Sequence, residues 1–221
     1  MPAVAVWPSR CLRRVQHRPA RPGLETASRS MKLYRFGYKV YLDSSSNLEV
    51  RDLIQVFHAW IQTQQIEGHL LIDVHDYSHV FQGPGILLAA HEGNFSLDLT
   101  QGRAGLLYYR KAPLNGEPLD RLKTVFRSTL QGCRLLEQEA SLQGKVRFQT
   151  DEILFLANDR LNAPNTPETY QTLRPALSGF AEVVLGSDCS LQPHFDPRER
   201  FAVQMQLHEA VSLEDLIRRL D

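Results

Sequence analysis

From Met31 onward, short apolar runs come in pairs joined by turn residues, and stretches with helical spacing follow them. No other feature constrains the fold as much. Paired short runs read as hairpins, and hairpins make antiparallel sheets. Helices inserted between hairpins return to one side of the sheet, so the class is α+β rather than parallel α/β.

The segment Lys32–Leu42, KLYRFGYKVYL, is rich in tyrosine, phenylalanine and valine and reads as a strand or a kinked pair of strands. His69–Val74 and Ile86–His91 read as two short strands around Gly83-Pro84-Gly85, which has the composition of a type II turn. Phe95–Leu99 and Leu106–Tyr109, around Gln101-Gly102, form a second hairpin, and Val146–Thr150 with Ile153–Ala157 form a third.

The spacing of Val50, Leu53, Ile54, Phe57 and Ile61 predicts an amphipathic helix, opened by a Ser46/Glu49 capping box and ended before Gly68. A long helix over Glu117–Glu139 has Leu119, Leu122, Phe126, Leu130 and Cys133 on one face. Thr166-Pro167 opens the next as N-cap and first-turn proline, with Tyr170, Leu173, Leu177, Phe180 and Val184 as its stripe. Ser212 and Asp215 cap a last one.

These units suggest a weak hairpin-helix repeat. Asn115, Phe126, Leu130 and Gly132 recur as Asn162, Leu173, Leu177 and Gly179, and YKVYLDSSSNLEVRDLI echoes FAVQMQLHEAVSLEDLI.

Formal net charge is zero over 221 residues, but its distribution is uneven. Residues 1–30 carry six arginines against one glutamate, whereas residues 31–221 carry 19 basic and 24 acidic side chains. The leader has four prolines and no periodicity, so it is expected to be disordered: either translated upstream sequence before a true start at Met31, or an organelle transit peptide. Residues 31–221 are expected to form a single α+β domain that needs no disulfide to hold its core.

Cys11, Cys133 and Cys189 are odd in number and show no paired spacing, which fits a reducing, cytoplasmic compartment. Cys133 reads as a small core residue. No apolar run is long enough to span a bilayer.

Chemistry-bearing side chains are densest in Asp73-Val74-His75-Asp76-Tyr77-Ser78-His79, with His91-Glu92 across the turn. If facing positions about the turn sum to roughly 167, His75 and Asp76 oppose Glu92 and His91. Imidazoles and carboxylates meeting in this way are ligands for Zn²⁺, Fe²⁺ or Mn²⁺. His75, Asp76, His79, His91 and Glu92 are therefore the candidate metal site. Strand alternation counts against a full set, because it sends Asp76 to the face opposite Asp73 and His75.

Other signals are weaker. His58 reads as a core histidine, and Tyr108-Tyr109-Arg110-Lys111 as the end of an edge strand. Asp196-Pro197-Arg198-Glu199-Arg200 reads as a solvated turn. The HDxxH spacing of His75 and His79 lacks the further ligands of HD-type phosphohydrolases, and no GxSxG, HExxH, GxGxxG or EF-hand pattern is present. The expected function is a non-catalytic binding or assembly module whose partner is a second copy or another protein. The alternative is a small metal- or cofactor-assisted enzyme using the 73–92 hairpin. The acidic body disfavours nucleic acid.

Overall fold

The computed structural model describes residues 33–81 and 83–221, so the expectations for residues 1–30 and for a start at Met31 lie outside the described residues. Eight strands form one sheet: β1 Phe36–Leu42, β2 Leu71–Tyr77, β3 Gly85–Ala90, β4 Gly93–Asp98, β5 Gly105–Arg110, β6 Phe148–Ala157, β7 Ser190–His194 and β8 Phe201–Gln206. Their order is β2-β3-β4-β5-β1-β6-β8-β7, and every neighbouring pair is antiparallel. Four α-helices accompany it: α1 Val50–Thr63, α2 Pro118–Gln138, α3 Pro167–Phe180 and α4 Leu213–Arg218. This is the α+β class that the alternation of hairpins and helices implies.

One face of the sheet is covered. Phe36, Tyr38 and Val40 of β1, Phe95 and Leu97 of β4, Leu106 and Tyr108 of β5, and Ile153 and Phe155 of β6 join the apolar stripes of all four helices in a single buried cluster. At its centre the Tyr38 ring meets Phe126 of α2 edge-on at 5.0 Å and stacks on Phe180 of α3 at 5.3 Å. Cys133 is fully buried there, and burial pushes its thiol well above the ordinary range. Among the described residues, no helix is long and apolar enough to cross a membrane.

Several local expectations change. Val146–Thr150 and Ile153–Ala157 are not a hairpin: β6 runs unbroken over Phe148–Ala157, and the interruption is a register shift against β1 between Val40 and Tyr41. A bulge absorbs the extra residues without turning the chain. Ser46 does not cap α1. Its hydroxyl donates to the Arg147 carbonyl at 2.9 Å, and Glu49 occupies the N-cap position, where its carboxylate accepts from Arg51 Nε and caps no helix amide. His58 is exposed rather than core; Leu53, Val56, Phe57 and Trp60 are the buried positions of α1. Thr166 and Ser212 do cap α3 and α4, each accepting the amide three residues on.

The internal repeat also takes a different form. The strand order reads outward in both directions from the central β1–β6 pair. Each half runs strand, helix, outer strand or strands, a returning strand beside the first, then helix. On this topology β1 corresponds to β6, β5 to β8 and α2 to α4, so α2 and α3 are not counterparts.

The two matched glycines have different surroundings. A Cβ on Gly132 would come within 2.8 Å of Leu106 and 3.1 Å of Phe95, because α2 lies close on the sheet, whereas Gly179 of α3 has open space around it. Gly132→Ala is therefore expected to destabilise by about 1–3 kcal/mol through overpacking, and Gly179→Ala to stabilise by up to about 1 kcal/mol through helix propensity. Urea midpoints of the two variants, measured side by side, check the opposite signs.

Candidate functional site

Among the described residues, no α-helix packs on the other face of the sheet. Directly paired residues point to the same face, so the register writes two rows across it. One runs His75–Leu87–Ser96–Leu107–Lys39–Leu154–Gln204–Gln192, and the next Asp73–Ala89–Asn94–Tyr109–Gly37–Leu156–Ala202–His194. From Leu87 to Gln192 and from Asn94 to His194, side chains of these rows line a groove of about 1120 Å³.

The middle of the groove floor is unusual for a lysine. Lys39 stands on the central strand between the cross-strand neighbours Leu107 and Leu154, and its side chain is only 3% exposed. Its ammonium donates to Asp98 Oδ1 at 2.6 Å. The same carboxylate accepts the Thr100 N–H at 3.1 Å and the Thr100 hydroxyl at 2.8 Å, which fixes its orientation. Burial lowers the pKa of Lys39, and the Asp98 charge opposes that shift. Beside the pair, Arg103 stacks on the Tyr41 ring at 3.8 Å while gripping both oxygens of Glu152. Tyr41 donates to Gln204 Oε1 at 3.1 Å, and burial pushes its phenol to about 12.

One end of the groove is strongly cationic, for a topological reason. The start of β1, the ends of β5 and β6 and the start of β8 lie side by side. Arg35, Lys111, Arg160, Arg198 and Arg200, just inside or beyond these termini, line the groove beside Glu199, and Arg110, which pairs with Gly93 and so shares the core face with Tyr108, borders it. Among the described residues, Arg198 alone of these six cations has an ion-pair partner, the half-buried Asp196. Arg200 donates to the Tyr109 hydroxyl at 3.1 Å, and Arg160 to the Arg198 carbonyl at 2.7 Å. Two carbonyl oxygens on the lining side chains, Asn94 Oδ1 and Asn165 Oδ1, are buried without a hydrogen-bond donor. Asn165 itself is held by its amide nitrogen, which donates to the Asp196 and Arg200 carbonyls.

The sequence-derived candidates do not assemble. Facing positions of β2 and β3 sum to 162 along most of the ladder, which sets His75 opposite Leu87 and Asp76 opposite Ile86. Asp76 binds the Ser78 amide within its own turn, and this local bonding lowers its pKa. Glu92 lies past the end of β3 and accepts the Leu70 N–H at 2.8 Å. His91 follows β3, and His79 lies in the turn after β2. Among the described residues, His75 alone of the three histidines finds a carboxylate within 4 Å, Asp73 Oδ2 at 3.8 Å, on the exposed edge strand. Among the described residues, no three His, Cys, Asp or Glu side chains are placed to share a metal ion.

Two weaker readings change as well. β5 is an interior strand, with Tyr108 buried in the core, Tyr109 and Lys111 on the groove, and Arg110 on the core side of its rim. The 196–200 run is half solvated turn and half groove wall. His69, not singled out by its sequence context, is a buried histidine whose Nε2 lies 2.7 Å from the Tyr108 hydroxyl; burial lowers its pKa.

The chain matches no protein-family model, no curated protein and no solved structure.

Breaking a buried ion pair leaves an uncompensated charge, whereas replacing both members does not. Asp98→Leu alone is expected to cost about 3–5 kcal/mol, and Lys39→Met combined with Asp98→Leu to recover most of that loss. Chemical denaturation of the single and double variants is the measurement.

Proposed function

We propose that this chain is a non-catalytic binding module that holds an elongated small molecule with an anionic end in the groove on the bare sheet face. The observation that carries this reading is the segregation of charge. Five cationic side chains gather at one end of a groove in a body whose acidic residues outnumber its basic ones. A carboxylate or phosphate placed there gains charge-assisted hydrogen bonds from the Arg35, Arg160 and Arg200 guanidinium groups, which have no ion-pair partner among the described residues.

Leu107, Leu154 and Leu156 provide an apolar floor for the body of such a molecule, and the Asn94 and Asn165 carbonyl oxygens provide acceptors for its hydroxyl or amine groups. Pockets for small molecules commonly combine an apolar lining with a few placed polar groups. A cationic cluster confined to one end suits a single anionic group; a nucleic acid would call for a basic stripe along the surface.

The same reading includes self-association as a homodimer. The alternative, a metal- or cofactor-assisted enzyme at the 73–92 hairpin, draws no support from a register that sends its five residues to separate places.

An amphiphilic anion tests the groove directly. 1-Anilinonaphthalene-8-sulfonate, displaced by a medium-chain carboxylate, is expected to bind the native chain with an affinity that falls as salt rises. The double variant Arg160→Gln/Arg200→Gln should weaken binding by about 10-fold or more. Arg134→Gln on α2 is the control and should leave it unchanged. Equal affinities across all three proteins would overturn the reading.

A further inference from the structure

The two edges of the sheet are built differently. β7 is five residues long and carries Pro193, which cannot donate a backbone hydrogen bond and so blunts that edge against pairing. β2 is seven residues long, contains no proline, and leaves every residue but Leu71 partly or fully exposed. Ile72 is 57% exposed, an uncommon state for an isoleucine within a strand. At Leu71 the edge is already satisfied, because the Gln64 side chain accepts its N–H and donates to its carbonyl. Further along, the Val74 N–H is met only by the carboxylate of its own neighbour, Asp73, at 2.8 Å.

We propose that β2 is the edge through which the chain binds a second copy of itself, the two strands pairing antiparallel about a twofold axis at Val74. The proposal rests on the assembly part of the functional reading and needs no ligand in the groove. The argument for a second copy is charge complementarity. Asp73-Val74-His75 is its own complement when read antiparallel: Asp73 comes opposite the partner's His75, and His75 opposite the partner's Asp73.

Asp73 and His75 already lie on one face, with the carboxylate 3.8 Å from the imidazole, so both cross-strand pairs form on the groove side of the sheet. Pairing replaces the local Asp73 cap on Val74 with a strand ladder and covers Ile72. A register centred on His75 instead would set two imidazoles against each other and leave Asp73 opposite Tyr77, so the charges select the Val74 register.

Sedimentation velocity of the full chain from about 1 to about 200 µM, without ligand, is the test. A reversible dimer is expected. Asp73→Lys should raise its dissociation constant by at least about 10-fold, while the exchange Asp73→His/His75→Asp restores it to within about 3-fold of the native chain. Both positions are exposed, and matching thermal melts establish that the variants are folded. A chain that stays monomeric throughout, a dimer indifferent to Asp73→Lys, or an exchange variant as weak as Asp73→Lys would each overturn the proposal. Failure here leaves the groove reading standing, since that reading is measured by probe binding to the arginine variants.

Discussion

The antiparallel pairing of β1 with β6 is the seam on which the rest of the molecule depends. The strand order radiates from it, and its two faces serve opposite ends. On one face Tyr38 and Phe155 meet edge-on at 5.5 Å, and Phe126 and Phe180 close over Tyr38, tying α2 and α3 to the sheet. On the other, Lys39 and Leu154 sit side by side in the middle of the groove floor. A strand of period two can bury an aromatic stripe on one side and present chemistry on the other, and β1 does both within seven residues.

The Lys39–Asp98 pair is costly in the same place. Two charges taken from water beside Leu107 and Leu154 recover their desolvation only through good geometry and further hydrogen bonds, which Thr100 supplies to the carboxylate. Such a pair adds little stability over an apolar substitute. Its effect is to hold the floor of the groove polar at one point between leucines, with the arginine cluster at one end of the same groove. Under the binding reading proposed above, a floor of leucines interrupted by one ion pair and ending in a cationic cluster sorts ligands by where charge falls along them.

Much of the scaffold was legible in the sequence because it rests on local signals. Thr166-Pro167 marks the start of α3, Ser212 caps α4, and the stripe Leu122, Phe126, Leu130 and Cys133 faces the core. The groove was hidden because it is a property of long-range register. Lys39 and Asp98 are 59 positions apart, and nothing in either neighbourhood announces the other. The one available hint was a lysine inside an otherwise aromatic and apolar strand, FGYKVYL, which alternation places on the face opposite Phe36, Tyr38 and Val40. The arginines come from four separate strand termini that only the topology brings together. The 73–92 cluster misled for a related reason: local density of ligand-type residues says little about convergence, and facing positions that sum to 162 rather than 167 set His75 against Leu87. The repeat was likewise sensed but misaligned, since helical stripes resemble one another whether or not the helices are counterparts.

The most direct test of the groove as a binding site is a methyl-resolved NMR titration of the chain with an amphiphilic anion. Binding in the groove predicts shifts concentrated on the Leu107, Leu154 and Leu156 methyl groups, with Leu130 and Leu177 on the helical side unmoved. Shifts centred on the helical face, or none up to about millimolar probe, the weak end of measurable affinity, would contradict the account.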